Sequence, residues 1–284
     1  MVGHSGSVAA SARGGAAMMH FGRFVWHDLN TNDVDSSSGF YSQLFGWTVD
    51  ATPRPNNYRG LSSDTAEFGG IFPWPPEVTG MPTHWTGYVL VEDVVATAKR
   101  ALELGGTIAF ESMPIPGVGT LGVVFDPTGA PVTTFTPAEI REGWDLGPGG
   151  TGDAVLWNEL ITTDLTASVA FHAELFGWEF DQAVVDAGGY VIASRGDTAA
   201  AAIFAPTSAT PRSAWITYFS TDDIRDTVAR AESLGATVIH QVTQISGVGR
   251  TAWVNDPQDA TFGLMQPEEN WFERLLSRKQ EGIS

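Results

Sequence analysis

The 284-residue chain has no cysteine. Disulfides, thiolate catalysis and cysteine-ligated zinc or iron–sulfur centres are therefore excluded. Basic residues are scarce: 15 Lys and Arg stand against 33 Asp and Glu, for a formal net charge of −18. Such a surface repels phosphate backbones and anionic lipid headgroups, so neither nucleic acid nor a membrane is an expected partner. No run approaches the roughly 18 apolar residues that span a bilayer, and no N-terminal stretch has the apolar centre of a secretory signal. Residues 1–19, rich in Gly, Ala and Ser, read as a disordered leader, and the cytoplasm is the expected compartment. What is present, 43% hydrophobic residues, suffices for a core in each of about two domains.

The chain repeats itself. Residues 21–50 match residues 152–181 at Trp26/Trp157, Leu29/Leu160, Thr31/Thr162, Asp33/Asp164, Phe40/Phe171, Leu44/Leu175 and the tripeptide Phe45–Gly46–Trp47/Phe176–Gly177–Trp178. After a one-residue slip the match resumes at Trp85/Trp215, Tyr88/Tyr218, Asp93/Asp223, Gly105/Gly235, Gly117/Gly247, Asp126–Pro127/Asp256–Pro257 and Pro137/Pro267. Chance does not produce so many identities in one order. The period is too long for a solenoid, so each copy is a domain. The division is 20–137 and 153–267, with a Gly- and Pro-rich linker at 138–152 and a C-terminal helix and tail over 268–284, its amphipathic stretch running from Asn270 to Lys279.

Within one copy, 24–31 has strand composition. Asp33 then caps a helix with apolar positions Phe40, Tyr41, Leu44 and Phe45, which Gly46 ends. Short strands follow at 47–50, 58–61 and 67–72, then a Pro-rich loop. A second half repeats the order: a strand at 85–91, a helix at 93–104, strands at 107–111, 121–125 and 132–135, with a loop at 114–119. The expected fold is α+β, each domain a pair of βαβββ modules forming a concave sheet suited to a small-molecule cavity.

The string W-x-x-L-x-T-x-D-x6-F-x3-LFGW and the closing Asp-Pro turn resemble the vicinal-oxygen-chelate superfamily of glyoxalase I, bleomycin-resistance proteins and extradiol dioxygenases. The duplicated form is similar to actinobacterial proteins, some of which accompany aromatic polyketide pathways such as those of anthracyclines. The resemblance implies the fold more than the activity, because the superfamily hosts lyases, epimerases, dioxygenases and non-catalytic drug binders. It also implies three metal-ligand positions per domain. In this chain they fall on Trp26, Thr86 and Thr133, and on Trp157, Ile216 and Gly263. None is a strong ligand, so no metal and no other cofactor is expected. A displaced site built from His84 and Asp28 is the alternative: His84 keeps the inward face but lies about 7 Å from the usual position.

Strand alternation sends Trp26, Asp28 and Asn30 into the first cavity and Trp157 and Glu159 into the second. His84, Thr86 and Tyr88 join the first, Ile216 and Tyr218 the second, and Phe135 and Met265 stand along the walls. Trp74, in the Pro-rich segment 72–82, is placed as part of a lid, and because the counterpart at 204–211 is shorter, the first domain is expected to hold the more developed site. His172 and His240 read as surface residues. Rings around a carboxylate suit a small aromatic or polyketide-like ligand. Asp28 and Glu159, if buried, would have raised pKa values and are the candidate acid/base groups. The expected function is thus metal-independent binding of an aromatic natural product, for sequestration, resistance or biosynthetic hand-over. The alternatives are a tailoring enzyme using a cavity carboxylate, or a metal-dependent lyase or dioxygenase with displaced ligands. A monomer is expected, since two fused copies can pair within one chain, with a homodimer as the alternative.

Overall fold

Five helices start at an aspartate that accepts backbone N–H bonds in the first turn: Asp33, Asp93, Asp164, Asp181 and Asp223, of which all but Asp181 are paired by the repeat. Each such cap is worth about 1 kcal/mol. Gly46 and Gly177 end the two first-module helices in the left-handed conformation, φ 76° and 66°. These shared devices set the same frame in both halves of the computed structural model, which describes residues 21–75, 80–139, 154–196, 198–206 and 212–275. The expected leader, nearly all of the linker and the last residues of the tail lie outside the described residues.

The first domain runs β1 (Phe24–Thr31), α1 (Val34–Phe45), β2 (Thr48–Val49), β3 (Arg59–Ser62), β4 (Glu67–Pro73), then β5 (His84–Leu90), α2 (Val94–Glu103), β6 (Thr107–Ile115), β7 (Gly119–Phe125) and β8 (Pro131–Pro137). These strands form one mixed sheet in the order β2-β3-β4-β1-β5-β8-β7-β6. The second domain runs β9 (Val155–Ile161), α3 (Leu165–Phe176), α4 (Gln182–Asp186), β10 (Val191–Arg195), β11 (Thr198–Phe204), β12 (Ala214–Ser220), α5 (Ile224–Ser233), β13 (Thr237–Ile245), β14 (Gly249–Asn255) and β15 (Thr261–Pro267). Its sheet, β10-β11-β9-β12-β15-β14-β13, has no counterpart of β2 among the described residues. A single bridge, Glu179 to Ser194, stands there. The outer strand β6 is longer than its sequence suggests: it absorbs part of the expected loop at 114–119, and two register shifts let it keep pairing with β7.

The two domains share their cores. One apolar cluster joins Leu29, Tyr41, Leu44 and Trp47 of the first domain to Phe219, Val228, Val254 and Phe262 of the second. Another joins Phe24, Val89 and Ala98 to Phe171, Phe176 and Trp178. Hydrogen bonds stitch the same seam. The Tyr41 hydroxyl donates to Asp256 Oδ2 at 3.0 Å, and Trp85 Nε1 donates to that hydroxyl at 2.9 Å. His27 Nε2 lies 2.9 Å from Asn158 Oδ1. His27 and Asn158 are equivalent positions of the repeat, so this contact marks the pseudo-twofold axis. Burial holds the His27 imidazole neutral, with its pKa lowered to about 4.

His172 is a correction. It lies on α3, but α3 is covered by the other domain, and the ring is fully buried, stacked on Trp178 at 5.5 Å. Its Nδ1 is 2.8 Å from the Ser168 carbonyl. Burial lowers its pKa. His240 is exposed, its ring set edge-on to Trp253.

Candidate functional site

Strands β1 and β5 pair antiparallel with Trp26 opposite Tyr88, Asp28 opposite Thr86 and Asn30 opposite His84. Paired residues share a face, so six of the expected site residues stand together. Asp28 is buried. Its Oδ1 accepts from Trp26 Nε1 at 2.9 Å and from the Tyr58 hydroxyl at 2.9 Å. Tyr88 and the Gly70 backbone N–H add further bonds. Burial raises the Asp28 pKa to about 6, and the bonds it accepts hold it from rising further. Asn30 Nδ2 reaches Thr86 at 3.4 Å. Phe135 stands edge-on to Tyr88 with ring centroids 6.3 Å apart.

Tyr58 was not anticipated. It enters from the turn before β3 and lies across β4 at Gly70, where an added Cβ would come within 2.1 Å of the phenol ring. Gly70 is thus a space for a ring, and a glycine paired with Asp28 of β1 was the signal that could have revealed it.

Strands β9 and β12 repeat the arrangement, with Tyr218 opposite Trp157, Ile216 opposite Glu159 and Ala214 opposite Ile161. The buried Glu159 accepts from the Tyr190 hydroxyl at Oε1 and from the Tyr218 hydroxyl at Oε2, each at 2.5 Å. Each tyrosine oxygen in turn accepts from an indole: Tyr190 from Trp157 at 2.9 Å and Tyr218 from Trp253 at 2.5 Å. Burial raises the Glu159 pKa and the two phenol bonds lower it in part. Tyr190 and Trp253 are the residues sequence reasoning missed here. Gly263 leaves room for the Tyr218 ring, 2.4 Å from where its Cβ would sit.

A partly enclosed cavity of 320 Å³ opens beside Glu159, walled by Trp157, Ile192, Val248 and Met265. Trp271 and Leu275 of the helical turn after β15 also line it. The longer Pro-rich segment belongs to the first domain. There, Trp74 donates to its own loop at the Pro82 carbonyl, 3.3 Å, and packs on His84 at 5.4 Å. That pair stands at the end of the Asn30–His84 row. Residues 76–79 of the segment lie outside the described residues.

The superfamily's three metal positions can be tested on their atoms. They lie on β1, β5 and β8, and on β9, β12 and β15. An indole and two hydroxyls meet in the first domain; an indole, an alkyl chain and a bare Cα meet in the second. The neighbouring carboxylates already accept from phenols and indoles. Among the described residues no three His, Asp or Glu side chains gather in a group that could hold a metal. These residues do not fit a divalent cation, which needs lone pairs converging on one point.

The model of the glyoxalase/bleomycin resistance protein/dioxygenase superfamily matches residues 20–133 and again 154–264. A Mycobacterium tuberculosis protein described as a candidate glyoxylase, CFP32, is 31% identical over 247 residues, covering 85% of this chain and 94% of its own. The Streptomyces peucetius anthracycline biosynthesis protein DnrV is 30% identical over 267 residues, covering 87% and 94%. The Mn(II)-bound glyoxalase of Novosphingobium aromaticivorans superposes with a TM-score of 0.57 at 12% identity, covering 93% of this chain and 91% of that one, a likeness of fold alone. The chain belongs to the glyoxalase/bleomycin resistance protein/dioxygenase superfamily.

Proposed function

We propose that this protein binds small, flat, hydroxylated organic molecules on its concave sheet faces and does so without a divalent metal. One observation carries the reading: in both domains a buried carboxylate is gripped by two tyrosines and backed by indoles, at the place where the superfamily's chelate would stand. A carboxylate held this way is an acceptor for a ligand O–H or N–H. The surrounding rings supply stacking area. In the first domain Asn30 and Thr86 add hydrogen-bonding groups beside Asp28, which suits a polycyclic phenol or hydroxyquinone. Relatives named for anthracycline biosynthesis support that choice of ligand. The fused pair, with its continuous core, is proposed to work as a monomer.

Quenching of tryptophan fluorescence by a hydroxyanthraquinone series, in EDTA, tests the reading. Trp26 stands in the first clamp, so saturable quenching is expected with chelator present. Quenching that appears only when a divalent metal is restored would overturn it.

A second reading has an observation of its own. With a pKa of about 6, Asp28 changes charge near neutrality and can take a proton from a bound phenol or an activated C–H. Turnover of a hydroxyquinone that rises with pH through about 6 and is lost in Asp28→Asn would make the protein an acid/base enzyme.

A further inference from the structure

We infer that the cavity of the second domain is a separate site, selective for a compact, mostly apolar molecule that presents one hydroxyl or amine hydrogen to Glu159. This rests on the reading that the concave faces bind small organic molecules, and it adds which kind the second face takes and why it differs from the first.

Hydrogen-bond supply comes first. Around Glu159 every side-chain N–H and O–H in contact with the carboxylate network is already spent. Tyr190 and Tyr218 give their hydrogens to Glu159, and Trp157 and Trp253 give theirs to the tyrosines. The unused capacity is lone pairs on the carboxylate and the phenols. A ligand that only accepts, such as an ether, a ketone or a carboxylate, finds no hydrogen in the Glu159 network, and an anion also meets Glu159. A ligand that donates completes the network. Outside that network, the Thr251 hydroxyl on β14 and the Trp271 indole are the hydrogen-bonding side chains in the wall.

The apolar surroundings come second. Asn30, Thr86 and His84 of the first domain correspond to Ile161, Ile216 and Ala214 of the second. Three polar groups flanking Asp28 are thus aliphatic around Glu159. The cavity wall itself is also mostly apolar, with Ile192, Ile245, Val248, Met265 and Leu275, so a second polar substituent out of reach of Thr251 would be buried there without a partner, a loss of roughly 1–3 kcal/mol.

Size and cover come third. The cavity, 320 Å³, is at the small end of the ~300–1,000 Å³ typical of ligand pockets. It has room for one or two fused rings, not four. Trp271 and Leu275 also cover Val248, which is 8% exposed. Its counterpart in the first domain, Val118, is 47% exposed. Trp271 stands edge-on to Trp157 at 6.1 Å, so the two indoles pack on each other as one aromatic corner of the wall.

The test uses the full chain, chelator-treated, at pH 8 to favour the ionised carboxylate, with 2-naphthol, 2-methoxynaphthalene and 2-naphthoate as calorimetric probes. A bond to a buried charged acceptor gives a preference of roughly 10- to 100-fold. Naphthol is therefore expected to bind at least about tenfold more tightly than its methyl ether, with naphthoate weakest. Glu159→Gln, which offers an amide hydrogen at the same place, is expected to narrow the naphthol-to-ether ratio to about threefold or less. Val248→Trp, filling the cavity, is expected to abolish naphthol binding, and Val118→Trp to leave it intact. Equal binding of naphthol and its ether overturns the inference while leaving the general binding reading in place. Naphthol binding that survives Val248→Trp overturns the assignment to this cavity. Naphthol binding that needs an added divalent metal overturns the broader reading instead.

Discussion

In the first domain Asp28 shares its face with Asn30, Thr86 and His84; in the second, Glu159 shares the corresponding face with Ile161, Ile216 and Ala214. The carboxylate is one methylene longer in the second domain, and both its oxygens hold a phenol. In the first, Oδ1 accepts from both Trp26 and Tyr58, and Tyr88 and the Gly70 N–H also bond the carboxylate. Trp253 occupies the position of Val123, and the facing residue is Gly263 where the first domain has Thr133. A larger ring on one strand is thus matched by a vanished side chain on its neighbour. The comparison teaches that the clamp and its surroundings are separable: duplication kept a buried carboxylate held by tyrosine and tryptophan, while the groups that choose a ligand diverged from polar to aliphatic.

The largest effect expected is on stability against pH. The Asp28 pKa is raised from 3.8 to about 6 in the folded chain. A raised carboxyl favours folding while protonated, so this contribution is full below pH 3.8 and is lost as pH rises through 6. The charged form then costs about 3 kcal/mol. Asp28→Asn does not incur that cost. Its stability relative to the parent, from urea unfolding, is expected to improve by about that amount between pH 4 and pH 8. Glu159→Gln is expected to shift in the same direction. A difference that stays flat with pH would show that the clamp does not desolvate its carboxylate.

Next in size are the ring-bearing glycines. Gly263→Ala drives a methyl into the Tyr218 ring, and overpacking of a buried ring costs about 2 kcal/mol. Gly70→Ala meets Tyr58, which is only half-buried and can swing outward, so a smaller loss, about 1 kcal/mol, is expected. Thermal unfolding of both variants checks the order, and a reversed order would break the account of which clamp is the more enclosed.

Exchanging polarity should exchange preference. Ile192→Thr in the wall of the second cavity is expected to weaken 2-naphthol binding about tenfold, or about 1.4 kcal/mol, because an added hydroxyl needs a partner that naphthol does not bring. Thr86→Ile in the first is expected to weaken hydroxyanthraquinone binding by a similar factor. Calorimetry on the two single variants reads both.

The last effect concerns the seam. Tyr41→Phe removes the bond to Asp256 and that from Trp85, for a loss of about 1–2 kcal/mol. Chemical denaturation should still show one transition, since the apolar clusters draw on both domains. Two separated transitions would show that the halves fold independently.

Much of this was legible in the sequence. The repeat gave the domain pair, the aspartate and glycine signals placed the helix ends, and strand alternation put Trp26, Asp28, Tyr88, Trp157, Glu159 and Tyr218 on inward faces. Tyr58 and Tyr190 escaped because they lie in the irregular turns before β3 and β10, where the two copies have slipped out of register with each other. Trp253 escaped because its counterpart is Val123, so the repeat offered no match. His172 was misjudged for a different reason: its helix packs on the other domain, and a helix face buried by a partner cannot be told from a solvated one by local pattern when the residue is polar. The roof of the second cavity depends on where the segment after β15 returns, which is a tertiary outcome.

Two unlike clamps are proposed each to bind a donor ligand with no metal. Calorimetric titration of the chelator-treated chain with 2-naphthol, before and after saturation with a dihydroxyanthraquinone, tests it most directly. Two independent heats are expected, naphthol affinity being unchanged by the bound quinone and by EDTA. Heat that appears only after a divalent metal is added would contradict it.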